Sequence, residues 1–438
     1  MKVTILTLFS SLPTTYSLVN VVDEQLKMLL EHDVEVTLIV AESCRNSERH
    51  GVFRDDRICW RFIPHHIGGR QIKLYNYAEP DGTLHETFQE EADFFATAFE
   101  EVLGDADVCI LHDILYQGWL YVYNIALRKA QKKLPHLRFL AFAHSYPARR
   151  PSNISHQMAG RYTGMENTLF IYPARSGLEP MARQYNVSET QCRTVYNSVP
   201  LLDAMCPEVQ ALHREVDLLS PEILMVYPGR FTVGKKFEKA AALAGAIKTV
   251  SGKSVRAVFC TFPGGGMPEA DYKAAIRIVS AAYGLAKEDL IFTSEHGFPT
   301  GFPRQGVLDL FSLSNLFVCP SYSEACPLNV LEAAGRGNFL VLNRNVPALE
   351  ELGELCGAYF MEWGARRGNQ DLKPVYPQGE MAYVLKEAIK IAEQMARSGP
   401  VRAKTMTRVR FNRDWIWKHQ LGPLLTEEPL SKLLHNME

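Results

Sequence analysis

The chain has 438 residues, of which 47% are hydrophobic and 22% charged, and its formal net charge is −2 at pH 7. That length predicts two or three domains, and the composition is that of a packed globular protein. The near-zero net charge argues against a surface built for nucleic acid, and nine cysteines without a C-x-x-C pair argue against a disulfide framework or a zinc ribbon. The cysteine pattern instead favours a reducing compartment.

The chain begins with MKVTILTLFSSLP, which resembles a weak signal peptide but which we interpret as a first buried strand. Its apolar stretch is short, no small-residue cleavage site follows, and helix and strand patterns resume at once. No apolar run reaches the roughly 18 residues that span a membrane. We therefore expect a cytoplasmic protein, and peripheral contact with the inner face of a membrane stays open.

Apolar strands and helices alternate along the first half of the chain. The patterns KVTILTLF and VEVTLIVA predict buried strands, and YSLVNVVDEQLKMLLEHD, with helical spacing, lies between them. The helix pattern FQEEADFFATAFEEVL precedes two further strands, DVCILHD and LRFLAFAHS, which flank the helix pattern YVYNIALRKAQKK. Such an alternation predicts a parallel sheet that is covered on both faces.

A second alternation begins at ILMVYPGRF, after a polar segment with several prolines. Strand patterns follow in SVRAVFCTFP, DLIFTSE, NLFVCPS and NFLVLN, each succeeded by helical spacing. We predict an α/β protein with doubly wound domains at 1–205 and 206–400 and packed C-terminal helices at 401–438. Two open parallel sheets in one chain place ligands at strand ends, in a cleft between the domains.

The segment PSYSEACPLNVLEAAGRGNFLVLN places two glutamates around a predicted helix start. We expect this helix to begin at Pro327 and to end at Gly337, so that the N–H groups of Leu328 to Val330 form an anion site. Glu324 and Glu332 would repel phosphate but would accept hydrogen bonds from sugar hydroxyls. On this segment alone, a helix-dipole role for Glu332 and a plain loop charge at Glu324 stay equally open.

The segment YPGRFTVGKKFEKA adds two cations at the strand ends of the same predicted sheet. Arg230 comes just after a strand, and Lys235 opens the next helix, so the two could clamp a diphosphate. Alone, this spacing is more typical of a solvated loop. Together with the two glutamates, it indicates a nucleoside diphosphate that carries a hydroxylated group.

On these residues the sequence resembles the retaining glycosyltransferases of family 4, which have the GT-B fold. The resemblance is clearest over residues 222–360, where EACPLNVLE resembles the glutamate–seven–glutamate motif, GRFTVGKK the strand-end Gly-Arg and Lys, and CTFPGGGMPE the glycine turn. Elsewhere, DVCILHD and FAHSYP resemble strand-end histidine segments, and RDWIWKHQLGPLL resembles the C-terminal helix. The segment VYNSVP resembles an interdomain segment, with Ser198 where glycine is usual.

The resemblance implies a fold in which two doubly wound, Rossmann-like domains face a central cleft and the helices of 401–438 pack back on the first domain. It implies a metal-independent hexosyltransferase that uses a UDP- or GDP-sugar as donor, needs no cofactor and retains the anomeric configuration. The acceptor, whether a carbohydrate, a lipid-linked glycan or a protein, stays open, as do the donor base, the sugar and the oligomeric state.

The resemblance also implies roles for individual residues. Donor phosphates would be bound by Arg230, Lys235, Leu328 and Asn329, the ribose by Glu332, and the transferred sugar by Cys326 and Pro327, with Glu324 and His144 in catalytic positions. We assign no general base, since the departing phosphate oxygen can accept the proton of the acceptor. In two places the chain departs from the family: the first loop, SSLPTTYSL, has no glycine, and Pro327 stands where glycine is common.

Two other classes of function stay open. A relative with this fold could act as a nucleotide-sugar epimerase, which needs no acceptor. A non-catalytic relative could bind a nucleotide sugar or a partner protein, an alternative that the altered first loop keeps open. The combined Arg/Lys and Glu/Glu set favours the transferase.

Several weaker signals are not taken as sites. Asp105 and Asp107 have the D-x-D spacing of metal-dependent transferases, but we interpret them as part of a turn. His65 and His66 are adjacent, which is poor geometry for metal ligands, and His112 is either a cleft residue or a packing residue. The glycine run in CTFPGGGMPE lacks the Lys-Ser/Thr of a P-loop.

Five arginines between residues 149 and 183 form either scattered solvated charge or a basic rim for an anionic acceptor or membrane surface.

Overall fold

The computed structural model describes residues 1–64, 66–67, 70–71, 83–154 and 156–427. The chain forms two compact units: unit 1 comprises Met1–Val199 and the segment from Arg413 onward, and unit 2 comprises Pro200–Asn412. Each unit is a parallel sheet with helices, so the predicted pair of Rossmann-like α/β domains is confirmed. The chain passes between the units after residues 199 and 412, whereas the sequence placed these boundaries at 205 and 400.

Unit 1 contains a seven-stranded parallel sheet and a short antiparallel hairpin. Its strands are β1 (Lys2–Leu6), β2 (Glu35–Ala41), β3 (Ile58–Ile63), β4 (His66–Ile67), β5 (Arg70–Gln71), β6 (Val108–His112), β7 (Arg138–Phe142), β8 (Thr168–Tyr172) and β9 (Cys192–Thr194). Its first helices are α1 (Ser17–Glu31), α2 (Phe88–Leu103), α3 (Tyr121–Lys133) and α4 (Leu178–Tyr185). The order of the large sheet is β3-β2-β1-β6-β7-β8-β9.

Both faces of this sheet are buried, which explains the continuous apolar runs of its strands. Val3 and Ile5 of β1 pack in the core shared with α1, whereas Leu6 packs in the core shared with α2 and α3. In register, Leu6 lies beside Ile39 of β2 and Leu111 of β6. The carboxyl end of β1 is therefore level with that of β6.

Unit 2 contains a six-stranded parallel sheet in the order β12-β11-β10-β13-β14-β15. Its strands are β10 (Ile223–Phe231), β11 (Val255–Pro263), β12 (Leu290–Phe292), β13 (Leu316–Cys319), β14 (Phe339–Asn343), β15 (Tyr359–Met361) and the antiparallel pair β16 (Ala365–Arg367) and β17 (Gln370–Leu372). Its helices are α5 (Pro207–Glu215), α6 (Phe237–Ser251), α7 (Glu269–Ala282), α8 (Arg304–Leu313), α9 (Leu328–Ala334), α10 (Pro347–Cys356), α11 (Glu380–Arg397) and α12 (Gly399–Arg410).

The two sheets share one topology. Counted within its own unit, the large sheet of unit 2 runs 3-2-1-4-5-6, and the first six strands of the sheet in unit 1 follow the same order. In open sheets of this kind, ligands bind where the order reverses, outside the carboxyl ends of the two central strands. These switch points lie between β1 and β6 in unit 1 and between β10 and β13 in unit 2.

The C-terminal segment returns to unit 1 only from Arg413 onward. It forms α13 (Arg413–Ile416), a π-helical turn (Trp417–Leu421) and α14 (Gly422–Thr426). The apolar side chains that it buries in the core beside α1 are Ile416, Leu421, Leu424 and Leu425. From Arg413 to Thr426 the chain therefore packs within unit 1.

The preceding helix, α12, belongs to unit 2, contrary to the prediction that all of 401–438 packs on the first domain. The buried guanidinium of Arg408 donates to carbonyl oxygens at the start of unit 2, including that of Leu219 at 2.8 Å. Burying this cation elsewhere would leave its donors unpaired, at a high cost in free energy.

Glu24 of α1 bonds to both chain segments at which the chain leaves unit 1 and returns to it. Its Oε2 accepts from Ser198 Oγ at 3.1 Å, and its Oε1 accepts from Arg413 Nη1 at 3.2 Å. Glu24 is 6% exposed, and Ser198 and Arg413 each lie at a boundary of unit 1. One buried carboxylate thus joins both crossing points.

Within the described part of the chain, no helix has the length and hydropathy to cross a membrane.

Candidate functional site

The predicted donor-site residues of unit 2 lie at the end of β10 and on the two segments that follow β10 and β13, next to the switch point. β10 ends at Phe231 and is followed by a 3₁₀ turn, Val233–Lys235. β13 ends at Cys319, and a loop then leads into α9. Because the two strands are parallel neighbours, the segments that follow them start from one edge of the sheet.

Lys235 and Glu324 form an ion pair at this edge. Lys235 Nζ lies 2.5 Å from Glu324 Oε1, and the exposed fractions of the two side chains are 28% and 10%. The Lys235 carbonyl accepts a hydrogen bond from the hydroxyl of Tyr227 at 3.0 Å, which fixes the turn against β10. The structure therefore brings together the cation and the carboxylate that the sequence placed in one site.

Lys236 has a different role from its neighbour Lys235, which the sequence did not distinguish. Its backbone is left-handed, with φ of 55°, and its side chain is buried. Lys236 Nζ lies 2.9 Å from Asp371 Oδ2 and 4.3 Å from the ring centroid of Tyr322. This lysine ties the turn to the β16–β17 hairpin.

Glu332 is paired with Arg304, a residue that the sequence analysis missed. Glu332 Oε1 lies 2.5 Å from Arg304 Nη2, with exposed side-chain fractions of 19% and 73%. Arg304 is the first residue of α8, where a cation opposes the helix dipole. A cation at the start of a helix is unfavourable unless a carboxylate neutralises it. Its place at the start of a predicted helix is the sequence signal that could have identified Arg304 as a paired residue.

The helix that carries Glu332 is shorter than predicted. α9 runs from Leu328 to Ala334, and Pro327 precedes it with φ of −72° and ψ of 110°. The N–H of Val330 donates to the carbonyl of Pro327 at 3.1 Å, so it does not join the predicted anion site. Within the described chain, the backbone N–H groups of Leu328 and Asn329 have no such acceptor.

Asn329 connects α9 to β10. Its Nδ2 donates to the carbonyl of Pro228 at 3.2 Å. Its Oδ1 is buried and has no hydrogen-bond partner among the described residues. Buried polar atoms are almost always satisfied, so an open acceptor beside exposed Leu328 and Cys326 marks this position as one that a ligand hydroxyl can complete.

Arg230 is exposed at the end of β10, and its guanidinium makes no hydrogen bond or ion pair with the described residues. The glycine loop packs closely against it, because a Cβ at Gly264 would lie 2.6 Å from Arg230 Cγ. Gly265 and Gly266 then adopt φ of 74° and 102°, which favour glycine. Arg230 therefore presents an uncommitted cation near the end of the strand that leads to Lys235.

Unit 1 carries a separate cluster at its own switch point. His112 ends β6, and His144 follows β7. His112 Nε2 is 2.9 Å from Oε1 of the buried Gln25, and His112 Nδ1 is 2.9 Å from His144 Nε2. Because an amide oxygen only accepts, His112 donates from Nε2 and its Nδ1 accepts from His144, which leaves Nδ1 of His144 as a lone-pair acceptor.

Burial favours the neutral form of both histidines. Burial lowers the pKa of His112 well below its ordinary value, and the neighbouring His144 lowers it further. Burial also lowers the pKa of His144, although the carboxylate of Asp113 raises it in part. His112 does both of the things that the sequence left open. It is only 3% exposed, so it packs in the protein interior, and it also lines a cavity.

Asp113, the residue that follows His112, holds His144 in place. Its Oδ1 accepts from the backbone N–H of His144 at 2.8 Å, and its own N–H donates to the carbonyl of Phe142 at 2.9 Å. Its backbone is left-handed, with φ of 60°, a conformation that costs free energy in residues other than glycine. Such strain is most often retained where it positions functional groups.

The weaker signals of the sequence have structural explanations. Asp105 accepts from Arg61 at 2.7 and 3.0 Å, and Asp107 Oδ2 accepts from the backbone N–H of Lys2 at 2.7 Å. Both aspartates lie in the turn before β6, as predicted. His66 Nδ1 is 2.9 Å from Glu42 Oε1, and His65 lies outside the described residues.

Hydrogen bonding to Arg61 lowers the pKa of Asp105, so this carboxylate is engaged in a structural pair. Among the described residues, no group of three or more His, Cys, Asp and Glu side chains is arranged to hold a metal ion.

Three of the five arginines between residues 149 and 183 are engaged within unit 1. Arg150 donates to the carbonyl of Tyr162 at 2.9 Å, Arg161 lies over the Tyr162 ring, and Arg183 pairs with Glu179 at 3.2 Å. These contacts favour the interpretation of the five arginines as individual surface charges. A basic rim that contacts an anionic acceptor or a membrane stays a prediction.

Comparison with known proteins gives no match to any family model and none to a curated protein. Among solved structures, the chain is similar to a glycosyltransferase from Rickettsia africae ESF-5, with 12% identity, 98% of each chain covered and a TM-score of 0.34. It is also similar to Anabaena HepE in complex with UDP and glucose, with 11% identity, all of each chain covered and a TM-score of 0.34. For trehalose-6-phosphate synthase OtsA the identity is 12%, the coverage 98% of this chain and 100% of that chain, and the TM-score 0.37. Likenesses this distant assign no function, which therefore has to be argued from the residues of the site.

Proposed function

We propose that this protein is a glycosyltransferase that moves a hexosyl group from a nucleoside-diphosphate sugar to an acceptor hydroxyl, with retention of anomeric configuration. The observation that carries the proposal is the Lys235–Glu324 pair at the switch point of unit 2. A cation for a diphosphate and a carboxylate for sugar hydroxyls lie side by side where a Rossmann-like sheet binds its ligand. The retaining mechanism and the likeness to family 4 rest on the resemblance of the motifs.

In the proposed site, Lys235 and Arg230 bind the two phosphates of the donor. Arg230 has no partner to give up among the described residues, and its planar guanidinium suits bidentate contact with phosphate oxygens. The N–H groups of Leu328 and Asn329 add uncharged donors at the start of α9. Positive groups already in position stabilise the charge that grows on the leaving diphosphate.

The proposed transfer breaks the bond between the anomeric carbon and the phosphate oxygen, and the electron pair leaves with the diphosphate. The acceptor oxygen forms the new bond to the anomeric carbon on the same face. Its proton goes to the departing phosphate oxygen, so no side chain is needed as a general base. Glu324 and the open Oδ1 of Asn329 hold hydroxyls of the transferred sugar, next to Cys326 and Pro327.

Glu332 binds the ribose hydroxyls in this proposal. Its carboxylate is held by Arg304, which fixes one of its oxygens and leaves the other to accept. Arg304 is therefore a positioning residue for Glu332. The catalytic role of His144, whose Nδ1 is an open acceptor, rests on the resemblance of the motifs alone.

The experiment that tests the proposal is thermal unfolding of the purified protein with UDP-, GDP- and ADP-sugars, without added metal. Ligand at about 100 times its Kd stabilises the native state by about 2.7 kcal/mol, which is a readily measured rise in Tm. We expect a rise with one base, and we expect Lys235→Ala to abolish it. The matched control is Lys239→Ala, in which the lysine removed pairs with Glu380 on the neighbouring helix.

Product analysis separates the alternatives. Incubation with the stabilising donor and an acceptor mixture should yield nucleoside diphosphate and a glycoside whose anomeric configuration equals that of the donor. Conversion of the donor sugar without acceptor would instead identify an epimerase. Stabilisation without turnover would identify a non-catalytic binding protein, and no stabilisation by any donor would overturn the proposed site.

A further inference from the structure

The cavity that His112 lines has a volume of about 240 Å³, and all its lining residues belong to unit 1. It is formed by the loop after β1 and by the segment that follows β6, and it therefore opens at the switch point of this sheet. Open parallel sheets bind ligands at this position. The loop after β1 is the glycine-free SSLPTTYSL segment, for which the family resemblance gave no contacts.

The wall of this cavity offers polar groups that are not in use. The hydroxyls of Ser10 and Ser11 and the side-chain amide of Gln117 make no hydrogen bond with the described residues. Asp113 uses Oδ1 to hold His144, and its Oδ2 has no partner in the described part of the chain. Together these groups supply both donors and acceptors, the set that a polyhydroxylated ligand needs.

Two aromatic side chains line the same cavity. Tyr16 and Trp119 are each 47% exposed, although side chains of this size usually bury more of their surface. An exposed aromatic ring beside unsatisfied polar groups is suited to the apolar CH face of a sugar ring, while the hydroxyls of that ring take the hydrogen bonds. Exposed aromatic rings and open polar groups together suit a ligand that has both hydroxyl groups and an apolar ring face.

The charges that line the cavity disfavour anionic ligands. None of the described residues that line it is lysine or arginine, whereas Asp113 contributes a carboxylate. His112 also lines it, but burial lowers its pKa well below the ordinary value and both of its ring nitrogens are already bonded. A phosphate or carboxylate here would meet the like charge of Asp113. Arg161 lies beside Gly118, but it is engaged with the Tyr116 carbonyl and the Tyr162 ring and is not one of the lining residues.

We propose that this cavity binds one uncharged sugar ring, stacked against Trp119 and Tyr16 and hydrogen-bonded to Asp113 and Gln117. Its volume is just below the range of about 300–1,000 Å³ that encloses whole drug-sized ligands, which fits a single ring. As the acceptor subsite, the cavity rests on the proposed function, and it makes the acceptor a neutral carbohydrate. Its ability to bind sugar does not depend on that function.

The test is saturation-transfer NMR of the full-length protein with the methyl glycosides of glucose, galactose, mannose and N-acetylglucosamine. Glucose 6-phosphate and glucuronate are the charged counterparts. We expect at least one neutral glycoside to bind, and we expect Trp119→Ala to weaken its binding by about tenfold while Trp119→Phe keeps part of it. Phe94→Ala, which removes another exposed aromatic ring of unit 1, is the matched control and should not change binding.

The outcomes separate this inference from the proposed function, because nucleotide-sugar stabilisation is measured on the same samples. Nucleotide binding without any glycoside binding overturns the sugar cavity alone. Tighter binding of the charged sugars, or equal binding by Trp119→Ala and the native protein, also overturns it. Glycoside binding with no nucleotide binding supports the sugar cavity and overturns its role as an acceptor subsite.

Discussion

Lys235 Nζ lies 2.5 Å from Glu324 Oε1, so the cation and the carboxylate that we assign to the donor neutralise each other at the edge of the sheet in unit 2. Glu324 is only 10% exposed, and removing one member of such a pair leaves the other charge uncompensated. The pair therefore couples two properties that are usually separate: how tightly phosphate is bound and how the sugar is held.

Replacing Glu324 should separate these two properties. In Glu324→Ala we expect transfer to fall by about 10²–10³-fold, because the sugar loses its carboxylate partner. Nucleotide binding should persist or tighten, since Lys235 is no longer neutralised. Initial rates and calorimetric titration with nucleoside diphosphate measure the two effects, and Glu350→Ala, an exposed carboxylate 3.8 Å from Arg344, serves as control. Equal losses of binding and turnover would contradict the assignment.

Glu332 and Arg304 should affect nucleotide binding together. We expect Glu332→Ala to weaken binding of nucleoside diphosphate by about tenfold or more, since the ribose loses a charged acceptor. Arg304→Ala should weaken it less, because it only frees the carboxylate to rotate, and Arg304→Lys should restore part of the loss. A double-mutant cycle on the dissociation constants measures the coupling, and purely additive effects would refute the positioning role of Arg304.

Activity should not need a divalent metal. Asp105, the first member of the D-x-D sequence, is held by Arg61 and Lys2, and Arg61 lowers its pKa. We therefore expect transfer rates to be the same with and without a chelator, measured on protein freed of metal beforehand. Loss of activity that added Mn²⁺ or Mg²⁺ restores would show instead that a metal site exists.

The stability of unit 1 should fall in acid because of its buried histidines. Since the pKa of His112 is lowered in the folded chain, the unfolded chain binds more protons below its ordinary pKa of about 6.5. Stability contributed by neutral His112 is therefore present above about pH 6.5 and is lost as the pH falls below it. His144 acts in the same direction, whereas Asp113 partly opposes the effect on His144.

Urea unfolding at about pH 7.5 and about pH 5.5 measures this effect for the native chain and for His112→Asn. We expect the variant to be less stable at the higher pH but to lose less on acidification. His136→Asn, at an exposed position, is the control. An unchanged acid loss in His112→Asn would assign the pH dependence to other groups.

The C-terminal helices should contribute strongly to unit 1. Ile416 is fully buried in the core beside α1, so Ile416→Ala should lower the free energy of unfolding by about 2–5 kcal/mol. Ile278→Ala, in which the isoleucine is 72% exposed, should change it far less. Denaturant unfolding of both variants gives the comparison. Equal effects would mean that the C-terminal segment does not hold this core.

Apolar periodicity was sufficient to predict the strands that carry both clusters. DVCILHD contains β6 (Val108–His112), and ILMVYPGRF forms β10 (Ile223–Phe231), because central strands of a parallel sheet are buried on both faces. Turn chemistry was less reliable, since α9 ends near Gly335 instead of at Gly337. The N–H of Val330 was also lost to a local bond with Pro327.

Contacts between distant segments could not be predicted from one sequence. Arg304 and Glu332 are adjacent only because α8 and α9 pack together, and no local pattern distinguishes Lys235, in the site, from the buried Lys236. The boundary near residue 412 was missed for a similar reason, since Arg408 is held by carbonyl oxygens nearly 190 positions earlier in the chain. The local sequence pattern was sufficient to predict the strands and helices. The partner of each charged side chain, in contrast, depends on contacts between segments that are distant in the sequence.

The bond between Glu24 and Arg413 spans 389 positions of the chain. All of unit 2 lies between the two residues, so in topological terms unit 2 is an insertion into unit 1. During synthesis from the N terminus, the whole of unit 2 emerges before Arg413 and Ile416 can complete the core beside α1. The unit that comes second in the sequence is therefore the first that can finish folding, and the unit that begins the chain is completed last.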